Sequence, residues 1–321
     1  MRVSTSMIYG NGTTGIQNRQ SDLYRIQNQL STGRRILTPV DDPIASNEIL
    51  KLEQSKGVNE TFLDNQGNAL SQLSYVDATL GSVTNELIRI SELAAQAANP
   101  GYTNDQRGSI AVELRGRLES LVGLANTKDG TGLYLFAGFK SETQPFSVAG
   151  PSTPVPPATE FSHTNTYVSY SGDAGRRVLQ VTASQEIPVS ENGFDVFMQV
   201  RDTSGNPLPR SLFDSVQNLI NNLSPSATYS ATVQAQAQSD IRAGLNHVLN
   251  VRGAVGARQN TLETLMVAAK DYDLDFSVRL SDLRDLDYAE AISRFSSQQM
   301  QLEAAQVSFK KITQLSLFSI L

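Results

Sequence analysis

Asp285-Leu286-Asp287-Tyr288-Ala289-Glu290-Ala291 opens a 37-residue stretch, 285–321, whose spacing decides the fold. Tyr288, Phe295, Leu302 and Phe309 recur every seventh residue, and Ala291, Gln298, Ala305 and Ile312 follow three places after each. That is an a/d seam of period 3.5, which suits a helix packed lengthwise on other helices. Its remaining faces are Ser, Gln, Ala and Thr with few charges. The other end of the chain repeats the spacing: Tyr9, Ile16, Leu23, Leu30 and Leu37 lie seven apart, and Ile26 adds a d position. Two thin seams predict two terminal helices that pair, with everything between them an excursion out and back.

The intervening sequence supports that reading. A helix is expected over 13–37, with Gly33 either breaking it or marking close packing. Leu37-Thr38-Pro39-Val40-Asp41-Asp42-Pro43 reads as a turn, with Asp41 or Asp42 capping the next helix and Pro43 in its first turn. One long helix is expected from 44 to 98. Phe62 and Ala69 lead into Leu73, Val76, Leu80, Val83, Leu87, Ile90, Ala94 and Ala97, and Asn99-Pro100-Gly101 ends it. At 1.5 Å per residue it would span about 80 Å, which implies a rod. A further helix covers 103–127, with Ala111, Leu114, Leu118, Leu121 and Ala125 on one face. The turn Asp129–Gly132 then precedes a strand-like Leu133–Gly138.

Composition shifts at 139. Pro145, Pro151, Pro154, Pro156 and Pro157 crowd a loop-rich boundary. Strand patterns at 167–170 and 178–181 flank Gly172-Asp173-Ala174-Gly175, a hairpin signal, and Phe194–Val200 alternates like a half-buried strand. Helix returns at 212–223, breaks at Pro225 and resumes over 230–283, with Leu245, Val248, Val255, Leu262, Met266 and Ala269 as its apolar stripe. The expected class is mainly α: a coiled-coil-like helical rod formed by both chain ends, carrying a small inserted β-rich domain. The expected divisions are 1–40 with 285–321 as terminal helices, 41–138 with 208–284 as the rod, and 139–207 as the insert.

Composition and motifs narrow the function. A net charge of −6 and a pI near 5.1 argue against nucleic acid as the main partner. No apolar run approaches a membrane span, and no basic amphipathic stretch marks a membrane surface. The chain has no Cys, which removes disulfides and thiol chemistry. Its first residues lack the apolar core of a secretory signal. Gly10-Asn11-Gly12-Thr13-Thr14-Gly15 fits G-x-G-x-x-G, but no apolar strand precedes it, so it reads as a flexible lead-in to a helix. Asp271, Asp273 and Asp275 imitate the start of a calcium loop. Phe276 stands where its Gly should be and Asp282 where its Glu should be, so a solvated acidic turn between helices is expected. His163 and His247, the only histidines, have no nucleophile or metal motif nearby. No cofactor, metal or catalytic residue is expected.

The seams are too thin for a stable pair on their own. A few half-covered side chains, each contributing about 1.5–3 kcal/mol if fully buried, do not offset backbone ordering of about 1–2 kcal/mol per residue. The termini are therefore expected to be disordered in a monomer and ordered by other subunits. The assembly interface is assigned to Ile16, Leu23, Ile26, Leu30, Leu37, Tyr288, Phe295, Leu302, Phe309 and Ile312.

Several stretches resemble the bacterial flagellin family of axial proteins. Leu30-Ser31-Thr32-Gly33-Arg34-Arg35-Ile36 followed by Asp41-Asp42-Pro43 is similar to that family's N-terminal helix and turn. Val251–Asn260 resembles its returning helix, and Asp285–Ala291 the start of its C-terminal helix. Met1-Arg2-Val3-Ser4, Gly132–Gly138, Tyr170–Gly175 and the small insert point within the family away from the filament subunit and towards the junction of hook and filament. The resemblance implies a secreted, extracellular, non-enzymatic part of the bacterial flagellum, exported unfolded by the flagellar type III apparatus. It implies a homo-oligomeric ring, with the first hook-associated protein on the hook side, flagellin on the filament side and an export chaperone; no nucleic acid and no membrane insertion. A short flagellin and a type III-exported rod-like adhesin are the alternatives.

Overall fold

In a computed structural model the described residues are 5–148, 167–201, 206–208, 210–225 and 227–318. Pro151, Pro154, Pro156, Pro157 and His163 lie outside them. The chain divides into two compact units, one of 1–60 with 270–321 and one of 61–269. Among the described residues it is mainly α, with two small antiparallel strand pairs. The helices are α1 Thr5–Thr32, α2 Pro43–Ala97, α3 Asn104–Ala125, α4 Leu212–Asn222, α5 Ala231–Arg284 and α6 Tyr288–Phe318. The strands are β1 Phe146–Val148, β2 Val168–Tyr170, β3 Val178–Gln180 and β4 Glu186–Pro188.

The unit of 61–269 is built on heptads that close. Leu73, Val76, Leu80, Val83, Leu87, Ile90, Ala94 and Ala97 of α2 are buried without exception, as are Leu114, Leu118 and Leu121 of α3 and Ile241, Val248, Val255 and Leu262 of α5. Leu245 and Met266 are half-buried. Arg107, itself buried, donates to Ala97 O, Asn99 O and Tyr102 O, so one guanidinium satisfies carbonyls that the end of α2 leaves open. α3 starts on a capping box between Thr103 and Gln106, and α4 on one between Ser211 and Asp214.

Described residues within 139–207 share this core. Phe146 of β1 and Phe197 pack on Phe213 of α4 at ring distances of 5.5 and 5.7 Å, with Phe136 5.2 Å from Phe197. Asn126, just past α3, grips Phe146 through both its main-chain N–H and carbonyl. Asn65 and Gln66 of α2 donate to Gln180 O and Val181 O.

Three local expectations fail in this region. β2 and β3 do not form a hairpin with each other: β2 pairs with β1 and β3 with β4, both antiparallel. The reason is that 172–175 is held elsewhere. The Asp173 carboxylate accepts from Phe139 N and Gly175 N, and Tyr170 Oη donates to Phe136 O and Asp173 O. Leu133–Gly138 is a run of turns with isolated bridges at Tyr134 and Ala137. Phe194–Met198 is a π-helix, because Val196, Phe197 and Met198 are buried consecutively, which a strand with one wet face cannot do.

The unit of 1–60 and 270–321 holds α1, the start of α2, the end of α5, and α6. Few of its large apolar residues are buried: Leu52 and Leu280 with Ala45 and Ala291. Asp271, Asp273 and Asp275 lie inside α5, not in a turn. Asp273 faces Lys56 at 3.7 Å and Asp275 pairs with Arg279.

Candidate assembly surface of the terminal helices

α1 and α6 pack antiparallel. Tyr9 meets Phe309 edge-to-face at 5.9 Å, Arg19 donates to Gln301, and the Tyr288 hydroxyl lies over Gly33. The Gly-rich stretch 10–15 is therefore helix, not a lead-in. Within it Gly12 has a packing role, since a Cβ there would fall 2.5 Å from the Phe309 ring, whereas a Cβ on Gly10 or Gly15 would meet nothing within 4 Å. Within a single chain Thr5–Thr32 and Tyr288–Phe318 are helices packed on each other.

The seam closes halfway. Tyr9, Gly12, Ile16, Arg19, Leu23, Ile26 and Leu30 alternate by three and four along α1, and each is half-buried. Phe295, Gln298, Leu302, Ala305 and Phe309 of α6 are half-buried too, and Ala291 is buried. Ile312 and Tyr288 remain about half exposed, at 48% and 52%. Leu37 does not belong to the seam helix. α1 stops at Thr32 because Gly33 takes a φ of +68°, the left-handed C-cap that favours glycine. Leu37 sits in the following turn, half-buried, with its N–H donated to Asp41. α6 is also apolar away from the seam, where Ile292, Met300 and Val307 stand exposed. A cleft of about 330 Å³ opens between Gly12, Gly15 and Ile16 of α1 and Ala305 and Phe309 of α6.

At the other end of the pair, four helix termini meet and cap one another. Gly33 O accepts from Leu286 N, and Arg284 O accepts from Arg35 N, a two-bond antiparallel bridge that sets Arg34 opposite Asp285. The Arg35 guanidinium donates to Leu283 O, one of the last carbonyls of α5. Gln29, buried near the end of α1, donates to Arg35 O. Asp42 caps α2 through Ala45 N, and Asp287 caps α6 through Ala289 N and Glu290 N.

Asp41 accepts from Leu37 N and Thr38 N and pairs with Arg25 at 3.1 Å. The Thr38 and Leu37 N–H bonds and the Arg25 charge hold its carboxyl below the ordinary value of 3.8, against the small cost of burial. The Ser281 hydroxyl, then the Arg284 and Arg34 charges, do the same for Asp285. The Asp41–Asp42 pair was legible as a turn and a cap. The main-chain bridge between 33–35 and 284–286 left no sequence signal, because backbone groups carry none. No group of His, Cys, Asp and Glu among the described residues is arranged to hold a metal. His247 bonds the Asp195 carbonyl at 2.8 Å, a positioning contact.

Residues 3–141 match the bacterial flagellin N-terminal helical region. The chain is 31% identical to flagellar hook-associated protein 3 of Escherichia coli K12 over 332 aligned residues, covering 100% of this chain and 99% of that protein. The chain belongs to the flagellar hook-associated protein 3 family. It is 28% identical to the protein of the same name from Salmonella typhimurium LT2, over 100% of this chain and 99% of that one. A crystal structure of flagellar hook-associated protein 3 from Legionella pneumophila superposes with a TM-score of 0.62 at 24% identity, over 73% of this chain and 98% of that one, and bears out the fold. A member of this family is a structural flagellar protein of the hook–filament junction.

Proposed function

We propose that this protein joins hook to filament as a ring of identical copies, assembled through the faces that the α1–α6 pair leaves uncovered, and that it has no catalytic role. The first hook-associated protein would lie on its hook side and flagellin on its filament side, outside the cell. An export chaperone would accompany this protein before secretion. In this reading 1–40 and 285–321 are the terminal assembly segments, 41–138 and 208–284 the rod, and 139–207 an inserted domain. The supporting observation is the half-closed seam. Ile16, Leu23, Ile26, Leu30, Phe295, Leu302 and Phe309 keep part of their apolar area open after pairing, and Met300 and Val307 add a second apolar side. Apolar surface on several sides of a paired helix suits packing among several helices.

Leu302→Asp tests this. Leu302 is only half-covered within the chain, so the isolated variant should lose less than about 1–2 kcal/mol of stability, because water still reaches the new carboxylate. In an assembled tube the same carboxylate would be buried unpaired in every copy, at a cost of several kcal/mol each. The expected result is a soluble, secreted protein that fails to retain filament on the hook, scored by motility and electron microscopy. Normal filament retention would reject the assignment of this face to assembly.

A further inference from the structure

The apolar seam is a poor device for setting how α1 slides along α6. Most of its members are only half-buried, Ala305 offers little to grip, and Gln298 interrupts it; the fit of Gly12 on Phe309 and the Arg19–Gln301 bond are its positional contacts. The buried Oε1 of Gln298 has no hydrogen-bond partner among the described residues. A seam of period 3.5 with weak knobs accepts a shift of one heptad at small cost. Directional contacts elsewhere would fix the register of the pair more firmly than the seam does.

We infer that the junction of Gly33 and Arg35 with 283–286 is a register latch, with Arg35 as its positioning residue. The observations converge on that residue. Its N–H donates to Arg284 O at 2.7 Å, its guanidinium to Leu283 O at 2.9 Å, and its carbonyl accepts from the buried Gln29 at 2.6 Å. It thus ties the end of α1, through Gln29, to the last turn of α5, from which α6 is separated by three residues, 285–287. Gly33 is constrained twice. Its φ of +68° is one that other residues rarely adopt, and a Cβ would approach the Tyr288 hydroxyl to 2.9 Å. Tyr288 is the first residue of α6, so the turn that ends one terminal helix also seats the start of the other.

The latch differs from the seam in kind. Main-chain hydrogen bonds have fixed donors and acceptors, and sliding by one residue breaks them all together. Apolar contacts are non-directional and reform after a shift. This inference concerns the chain by itself and stands or falls apart from the assembly reading.

The chain lacks Cys, so single cysteines can be placed at exposed Ser21 of α1 and Ser296 of α6 and spin-labelled in the full-length protein. Pulsed electron resonance then reads the distance between the two helices. A single narrow distribution is expected for the parent. Arg35→Ala should broaden it or move it by up to about 10 Å, the length of one heptad at 1.5 Å per residue, with helical circular dichroism retained. Arg35→Lys, which keeps a charged donor but loses the fork, should fall between the two. Gly33→Ala disturbs the same junction from the backbone and should reproduce the change if Arg35→Ala fails to fold. Leu302→Ala, which thins the seam, should leave the mean distance unchanged. An unmoved distribution in both junction variants, or an equal displacement in Leu302→Ala, overturns the latch.

Discussion

The two units use the same heptad code and reach opposite ends. In the unit of 61–269, a and d residues such as Leu80, Leu87, Leu114 and Val248 are fully buried, since helices and the β-containing segment cover them from several sides. In the unit of 1–60 and 270–321, Leu23, Phe295 and Leu302 are half-covered by a single neighbour. Val40, Ile44, Tyr24, Tyr272, Leu274 and Met300 stand more than half exposed there. Periodicity tells which residues share a face and says nothing about how many neighbours that face will have. One unit is cored by apolar contact, and the other is tied by a polar junction with part of its apolar surface left exposed.

Substitutions can break that contrast or sharpen it. The largest effect is expected in the cored unit. Phe213 is fully buried among Phe146 and Phe197, so Phe213→Ala should cost about 3–5 kcal/mol in urea denaturation. Leu302→Ala, with half its side chain already wet, should cost under about 2 kcal/mol, read by hydrogen exchange of α6 amides. Equal costs would mean that the two units are cored alike.

A smaller effect separates the glycines of α1. Gly10→Ala and Gly15→Ala place a methyl group in open space and should each stabilise α1 by about 0.5–1 kcal/mol. Gly12→Ala drives a methyl group into the Phe309 ring and should reverse the sign. Exchange protection of α1 amides in the three variants checks this. Stabilisation by Gly12→Ala would show that the α1–α6 contact yields.

The smallest effect is in pH. Asp41 and Asp285 have folded carboxyls below 3.8, so each is a stronger acid folded than unfolded. Their contribution is complete above the unfolded value and is lost as pH falls through the folded one. The junction of the four helix ends should therefore loosen only below about pH 3.8. Asp214, buried at the start of α4, has the opposite sign, because burial raises its carboxyl despite the Ser211 and Tyr167 bonds. Its contribution is complete below the unfolded value and is lost as pH rises through the folded one. Side-chain carboxyl titration by NMR should find Asp214 protonating at higher pH than Asp41 and Asp285. The reverse order would remove the contrast.

Long repetition made most of the helical fold legible. Leu73 to Ala97 carries enough turns for a period of 3.5 to stand out from chance, and the Asn99-Pro100-Gly101 stop is written in side chains. Short elements were harder. Phe194–Met198 alternates well enough to pass for a strand, and only the crowding of Phe136, Phe146 and Phe213 around Phe197 coils it into a π-helix. The Gly172–Gly175 turn carried hairpin residues, but their partner is 136–139, which lies far back in the sequence.

The candidate surface divides along the same line. Which residues share one face of α1 and of α6 followed from spacing, because helix geometry fixes it, although Tyr288 and Ile312 at the ends of the α6 stripe stay about half exposed. Leu37 was assigned to the helix because the count of seven reached it, although Gly33, four residues earlier, turns the chain away. The sequence by itself determined the mainly helical class, the pairing of the two ends and the family motifs, all of which depend on side-chain identity and local periodicity. Only the tertiary structure decided the strand partners, the junction at Arg35 and how far the seam closes. These depend on which distant backbone groups meet, and every residue carries the same backbone N–H and carbonyl whatever its side chain.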